Sequence, residues 1–313
     1  MSTAEAPAVA APALTDADAD SAAAPRRRRS SRVKEALFGY ALLVPAVVIL
    51  GVFAYYPLYR LVHFALYRPN RFGRGEVYVG PSNITRVLGG DEFKEGLWIT
   101  VKFLLYTVPT GLVLGVLLAL AAHRHLRGIK IFQGIFSSTV ATSVAVASVV
   151  FFGLVNPKIG KFGQVGLIDL SKSSSALRGV ALTSIWQNIG LTFVIVLAGL
   201  QAIPDQLREA AQLDGFGAFR RLYKVTLPLL APTLMFLLVV LMIFAFQAFA
   251  PIEFLTQGGP AGSTETLVFK IFRRQDPGSI SEGAVMALGL FGLTFVVTLL
   301  QLTILNRRVH YGD

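Results

Sequence analysis

Six runs of apolar residues, each long enough to cross a lipid bilayer, decide what this 313-residue chain can become. They cover 37–59, 97–122, 131–155, 177–201, 229–250 and 284–305. The hydrocarbon core of a membrane is about 30 Å thick and takes about 20 apolar residues per helix. Water-soluble domains carry about 25% charged residues. This chain carries 15%, with a mean hydropathy of +0.61, too few charges to coat a water-facing surface. A membrane β-barrel would show short alternating strands, and the runs here are continuous. The expectation is an all-α integral membrane protein with six transmembrane helices. Pro45, Pro57 and Pro232 lie in or beside the first and fifth runs, where neighbouring helices can satisfy the carbonyl that a proline frees. The first run is longer than a signal-peptide core and has no clear small-x-small cleavage site after it, so it reads as a retained span.

Residues 1–25 are rich in Ala, Pro and Asp and show no apolar periodicity. Such a segment cannot bury enough surface to offset the entropy of ordering. The expected organisation is a disordered basic tail over 1–35 and one six-span domain over 36–313. Arg26, Arg27, Arg28, Arg29, Arg32 and Lys34 precede the first span. A basic cluster beside a span marks its cytoplasmic side and touches anionic lipid head groups. The net charge of +11 therefore reads as anchoring to the lipid bilayer, and no nucleic-acid partner is expected. With the tail inside, the connections after the second and fourth spans and the C-terminus are cytoplasmic too.

Several chemistries are missing. There is no cysteine, so no disulfide and no thiolate metal site. His63, His123, His125 and His310 lie at span ends or in tails, and no metal site is expected. Paired carboxylates, a Gly-x-Ser-x-Gly elbow and a Gly-x-x-x-x-Gly-Lys-Ser/Thr phosphate loop are absent, so no catalytic residue and no bound cofactor is expected. No Asp, Glu, Lys or Arg lies deep in a run, although Lys102 and Arg178 lie near ends. Proton- or ion-driven transporters often carry such groups at mid-membrane. A passive pore remains open on that count.

The connection over 202–228 is the most specific stretch, reading EAAQLDGFGAFRRLYKVTLP from Glu209 to its end. Pro204-Asp205 looks like a helix start, with Asp205 able to cap free N–H groups. Leu207, Ala210, Ala211 and Asp214 then recur at helical spacing on one face, mostly small or apolar. Gly215 and Gly217 break that helix. A second helical segment leads to Leu227-Pro228, where a proline suits the first turn of the next span.

Glu209-Ala210-Ala211, Asp214-Gly215, Val225 and Leu227-Pro228 at this spacing resemble the coupling loop of binding-protein-dependent ABC importer permeases. Further matches point to the carbohydrate-uptake branch. Tyr40-Ala41-Leu42-Leu43-Val44-Pro45 and Tyr56-Pro57 resemble its first span, and Tyr78-Val79-Gly80 with Asn83 its first external loop. Leu255-Thr256-Gln257-Gly258-Gly259-Pro260, followed by Thr264 or Thr266 and Leu267, resembles its loop after the fifth span. Val155-Asn156-Pro157, Ser184-Ile185-Trp186-Gln187, Ile203-Pro204 and 269–273 look closest to the glycerol-3-phosphate permeases of the Ugp type. One departure is Val225, where the family usually has isoleucine. The resemblance implies a type I importer fold, a second homologous permease subunit, a dimer of ATP-binding subunits and an extracytoplasmic substrate-binding protein. ATP and Mg would be used by the ATPase partner, docked on the 209–228 loop through Glu209, Ala210, Ala211, Asp214, Gly215, Leu227 and Pro228. Uptake of glycerol 3-phosphate or related glycerophosphodiesters across the bacterial cytoplasmic membrane is the implied function. Import of a disaccharide or oligosaccharide is the alternative, and a secondary transporter or channel a further one, against which the coupling loop discriminates.

Polar groups inside a membrane are candidates for a substrate path. Ser137, Ser138, Thr139, Thr142 and Ser143 cluster in the third run, Trp186, Gln187 and Asn188 in the fourth, and Gln247, Phe249 and Glu253 near the end of the fifth. Hydroxyl-rich ligands bind through amides and aromatic faces, which favours Trp186, Asn188, Gln247, Phe249 and Ser143. Small hydroxyls also let helices pack closely.

Overall fold

The computed structural model describes residues 29–70, 75–123, 127–156, 158–164 and 168–306. Residues 1–28 of the expected tail, and the C-terminus beyond Asn306, lie outside the described residues. The last residues of that tail are already helical, since α1 spans Arg29–Leu50. Once a span nucleates a helix, Arg, Lys, Glu and Ala extend it backwards at little cost, so hydropathy marks the span rather than the start of the helix.

Residues through Pro57 and residues from Leu58 onward form two units. In the first, α1 runs into a wide π turn over Gly51–Tyr55. The helix α2 (Tyr56–Leu66) starts with the last two residues of the first unit and the rest of it belongs to the second. A short antiparallel pair follows, β1 (Tyr67–Pro69) with β2 (Glu76–Tyr78), in which Tyr67 faces Tyr78. Then come α3 (Ser82–Gly89), α4 (Asp91–Ala122), α5 (Ile129–Ala141), α6 (Val144–Val155), α7 (Lys161–Gln164) and α8 (Ser173–Gln201). After α8 come α9 (Asp205–Leu213), α10 (Ala218–Arg221), α11 (Leu227–Phe246), α12 (Ala250–Leu255), α13 (Leu267–Phe272) and α14 (Ile280–Asn306).

Among the described residues, five stretches are long and apolar enough to span: Leu37–Leu66, Asp91–Ala122, Ser173–Gln201, Ala218–Phe246 and Ile280–Thr303. The run at 131–155 is not one straight helix. It divides into α5 and α6, bent by 107°. Thr142 and Ser143 are extended there, with ψ of 127° and 144°. Ser143 Oγ caps α6 by accepting from the Val146 N–H at 3.4 Å, and Gln187 Nε2 donates to the freed Thr142 carbonyl at 3.3 Å. Serine and threonine hydroxyls offer the backbone partners outside the helix, which is why a break falls in this hydroxyl-rich run.

The fifth span also differs from the sequence reading. Its helix begins at Ala218, well before Pro228, and passes through a π turn at Leu222–Thr226. Both π turns end two residues before a proline, Pro57 and Pro228. Proline lacks an N–H and its ring crowds the carbonyl four residues back; a wider turn relieves that conflict without ending the helix.

The centre of the larger unit is the α4–α8 pair. A Cβ on Gly111 would lie 2.5 Å from Asn188 Cβ, and one on Gly115 would lie 2.7 Å from Thr192 Cγ2. Two glycines four residues apart let the backbones approach, the usual device where lipid removes the hydrophobic drive between helices. Phe103, Val180, Phe193, Leu237 and Leu241 fill the buried core around this pair. At the Asp91 end of α4, buried Lys270 on α13 lies 3.6 Å from Glu95 and 3.7 Å from Glu265, and Arg274 pairs with Glu92. The loop over 256–266 folds back through Thr256 Oγ1 to Thr264 Oγ1 at 2.7 Å, with Thr264 donating to the Gly259 carbonyl at 3.0 Å.

Candidate functional site

The connection between α8 and the fifth span is a short helix, a sharp turn and a return. Pro204 precedes α9, and Asp205 occupies its first turn without capping it. The Asp205 carboxylate instead lies 3.8 Å from Arg208 Nη1, its charge set favourably at the helix N-terminus. The other end is closed by three backbone bonds. Asp214 N–H donates to Ala210 O at 2.9 Å, Gly215 N–H to Gln212 O at 3.0 Å and Phe216 N–H to Ala211 O at 3.0 Å. This is a Schellman closure, which needs a left-handed residue at the position after the cap. Gly215 supplies it, at φ +74°. Gly217, at φ −60°, is extended and starts α10.

Ala211 is 5% exposed and turned inward, whereas Leu207, Glu209, Ala210 and Asp214 are exposed. The two alanines therefore do not share one face as the sequence suggested, because successive helical residues point about 100° apart. Arg208 also turns inward and donates to His123 Nε2, 2.6 Å away at the end of α4. A guanidinium has no acceptor atom, so that ring nitrogen accepts. Outward, Leu213 and Phe219 are 89% and 83% exposed. Leu227 is half-buried and Pro228 exposed.

The second feature is a cavity of about 570 Å³ between α4, the α5–α6 break, α8 and the end of the fifth span. Asn188 and Gln187 of α8, Thr107 of α4, Thr139 and Thr142 at the break, and Gln247 beyond α11 line it. Phe249, Phe244 and Leu191 add apolar wall, and no charged side chain lines it. Asn188 is 7% exposed and donates to the Thr107 carbonyl at 3.4 Å. Phe249 is held by Phe272 and Phe269, with ring centroids 4.5 and 6.1 Å away. Of the expected path residues, Asn188, Gln247 and Phe249 meet here. Trp186 does not: it packs on Phe151, ring centroids 5.7 Å apart. Ser143 does not either, being engaged as the α6 cap.

Residues 111–311 match the family described as the binding-protein-dependent transport system inner membrane component. The chain belongs to this family. The sn-glycerol-3-phosphate transport system permease protein UgpA of Agrobacterium fabrum is 32% identical over 281 residues, covering 87% of this chain and 96% of that protein. Its namesake in Brucella abortus is 33% identical over 284 residues, with the same coverage. In fold, the permease matches a solved bacterial alginate ABC transporter in complex with an alginate pentasaccharide-bound periplasmic protein. The TM-score is 0.75 at 21% identity, over 91% of this chain and 100% of that one. The permease is thus a multi-pass inner-membrane component with a type I importer fold, and a transport subunit of a binding-protein-dependent ABC importer.

Sequence reasoning passed over two features of the permease that were legible. Ser184, Gln187, Asn188 and Leu191 all line the cavity at spacings of three, four and seven, one face of a helix. That face includes Gln187 and excludes Trp186. Gly111 and Gly115 likewise carry the small-xxx-small signature of a helix-packing face.

Proposed function

We propose that the permease passes glycerol 3-phosphate, or related glycerophosphodiesters, into the cell and is driven through the 209–228 loop by a separate ATPase. It pairs with a second permease of the UgpE kind above a dimer of UgpC-like ATP-binding subunits, which use ATP and Mg, and receives substrate from a UgpB-like binding protein outside. The N- and C-termini lie in the cytoplasm. The observation that carries the coupling role is α9 itself. It presents Leu213 to the outside, as α10 presents Phe219, while Arg208 and Ala211 tie it inward. Shifting a two-state gate from 1:99 to 99:1 takes about 5.5 kcal/mol of differential interaction. A capped helix bonded to the end of α4 can transmit such a push, and a floppy loop cannot.

The substrate assignment rests on the match to UgpA proteins along nearly the whole chain. The cavity lining offers amides, hydroxyls and Phe249, suited to a polyol backbone, but no cation for a phosphate. The phosphate therefore meets its counter-charge on the partner permease or the binding protein. The same neutral lining, and the fold shared with an alginate transporter, favour an oligosaccharide importer as the second reading. Uptake of labelled glycerol 3-phosphate in a deletion strain, with and without the intact chain, tests both. Loss restored by the chain supports the first reading. Unchanged glycerol-phosphate uptake with lost disaccharide uptake would replace it with the second.

A further inference from the structure

At the α9 end of the bundle a second cavity, of about 600 Å³, opens between the ends of α4 and α8, α9 and the start of the fifth span. Its lining combines two chemistries. Leu120, Leu200, Ile203 and Leu222 form apolar wall, and Arg208 and Arg221 bring two guanidinium groups without any carboxylate. Asp205, the acid paired with Arg208 among the described residues, lies 3.8 Å off and its side chain is 85% exposed, so water screens most of that pair. Arg221 is half-buried and has no ion pair among the described residues. A partly buried cation without a counter-charge is costly, and an anion entering the cavity would relieve that cost.

The position narrows the anion. Leu120 and Leu200 lie in the last turns of two spanning helices, where hydrocarbon gives way to water. A free anion would use the arginines and leave the leucine wall uncovered. A phospholipid would use both: its phosphate on the guanidinium forks, its glycerol and first methylenes on the leucines. We propose that this cavity binds the headgroup of an anionic phospholipid through Arg208 and Arg221, tying α9 to the leaflet on its side. Because Arg208 also contacts His123, the lipid would sit against the joint that connects α9 to α4.

The test is native mass spectrometry of the intact, delipidated importer titrated with phosphatidylglycerol or phosphatidylcholine. Phosphatidylglycerol is expected to bind more tightly. Arg221→Gln should weaken it about fivefold, and Arg208→Gln with Arg221→Gln about thirtyfold. Arg221→Gln leaves the Arg208–His123 contact in place, so its effect is not a displacement of α9, and Arg221→Lys should restore most of the affinity. Equal retention of both lipids, or unchanged phosphatidylglycerol binding in the double variant, would overturn the proposal. So would displacement of the lipid by equimolar inorganic phosphate, which would reassign the site to a free anion.

Discussion

Replacing Gly215 separates backbone conformation from surface contact at the proposed coupling loop. At φ +74° it closes α9 through the Gln212 and Ala211 carbonyls. An alanine forced into this left-handed conformation costs about 1–2 kcal/mol. No steric cost within the chain is added, because a Cβ on Gly215 meets no atom within 4 Å. The capped form of α9 should therefore fall about 5–30-fold relative to an open one. Asparagine visits this region far more readily than alanine, so Gly215→Asn should retain most of the cap although it is the bulkier residue. Gly215→Asp adds a negative charge at a helix C-terminus, unfavourable by about 0.3–1 kcal/mol, and should uncouple transport. The assay measures glycerol 3-phosphate uptake and ATP hydrolysis in one reconstituted importer, and compares their ratio. Glycine is expected to give the highest ratio and asparagine the next, with alanine and aspartate both below them. A wild-type ratio for Gly215→Ala would refute the capping argument, and so would near-normal uptake by a well-expressed Gly215→Asp variant. An asparagine variant as impaired as alanine would shift the cause from φ to crowding at the partner surface.

Asn188→Ala and Gln247→Ala should each raise the KM for uptake severalfold by removing a polar group from the cavity, while Trp186→Phe should leave it within about twofold; equal effects would place Trp186 on the path after all. Gln187→Leu leaves the Thr142 carbonyl without its donor and should cost about 1–3 kcal/mol, read as a lower Tm of the purified subunit. Ser143→Ala removes the α6 cap at the same break, worth about 1 kcal/mol, and should lower Tm by less. Gly115→Leu drives a side chain into Thr192 across the α4–α8 contact and should destabilise by about 1–3 kcal/mol, whereas Gly134→Ala, whose Cβ meets open space, should not.

The spans and the glycine-closed connection over 202–228 were legible for different reasons. A span is a local property: about 20 apolar residues satisfy their own backbone bonds in lipid, so runs such as 177–201 needed no knowledge of neighbours. The loop was legible because its turn requires glycine at one backbone position, Gly215. Helix direction was harder. Ala210 and Ala211 looked like one surface and proved to be two, because only contact with the rest of the fold decides which side of α9 turns inward.

The cavity shows the same division most clearly. Its polar residues were visible as a set, and Asn188, Gln247 and Phe249 meet in it. Which members met depended on rotation about α8, on the 107° break between α5 and α6, and on α11 ending at Phe246. By itself the sequence determined the membrane as solvent, the approximate spans and the glycine-closed connection, all of which follow from a residue's own backbone and transfer energetics. The tertiary structure alone decided that Trp186 packs on Phe151, that Ser143 caps a helix, and that Arg208 reaches His123. Those outcomes depend on which groups distant in sequence compete for the same partner, and no local pattern records that competition.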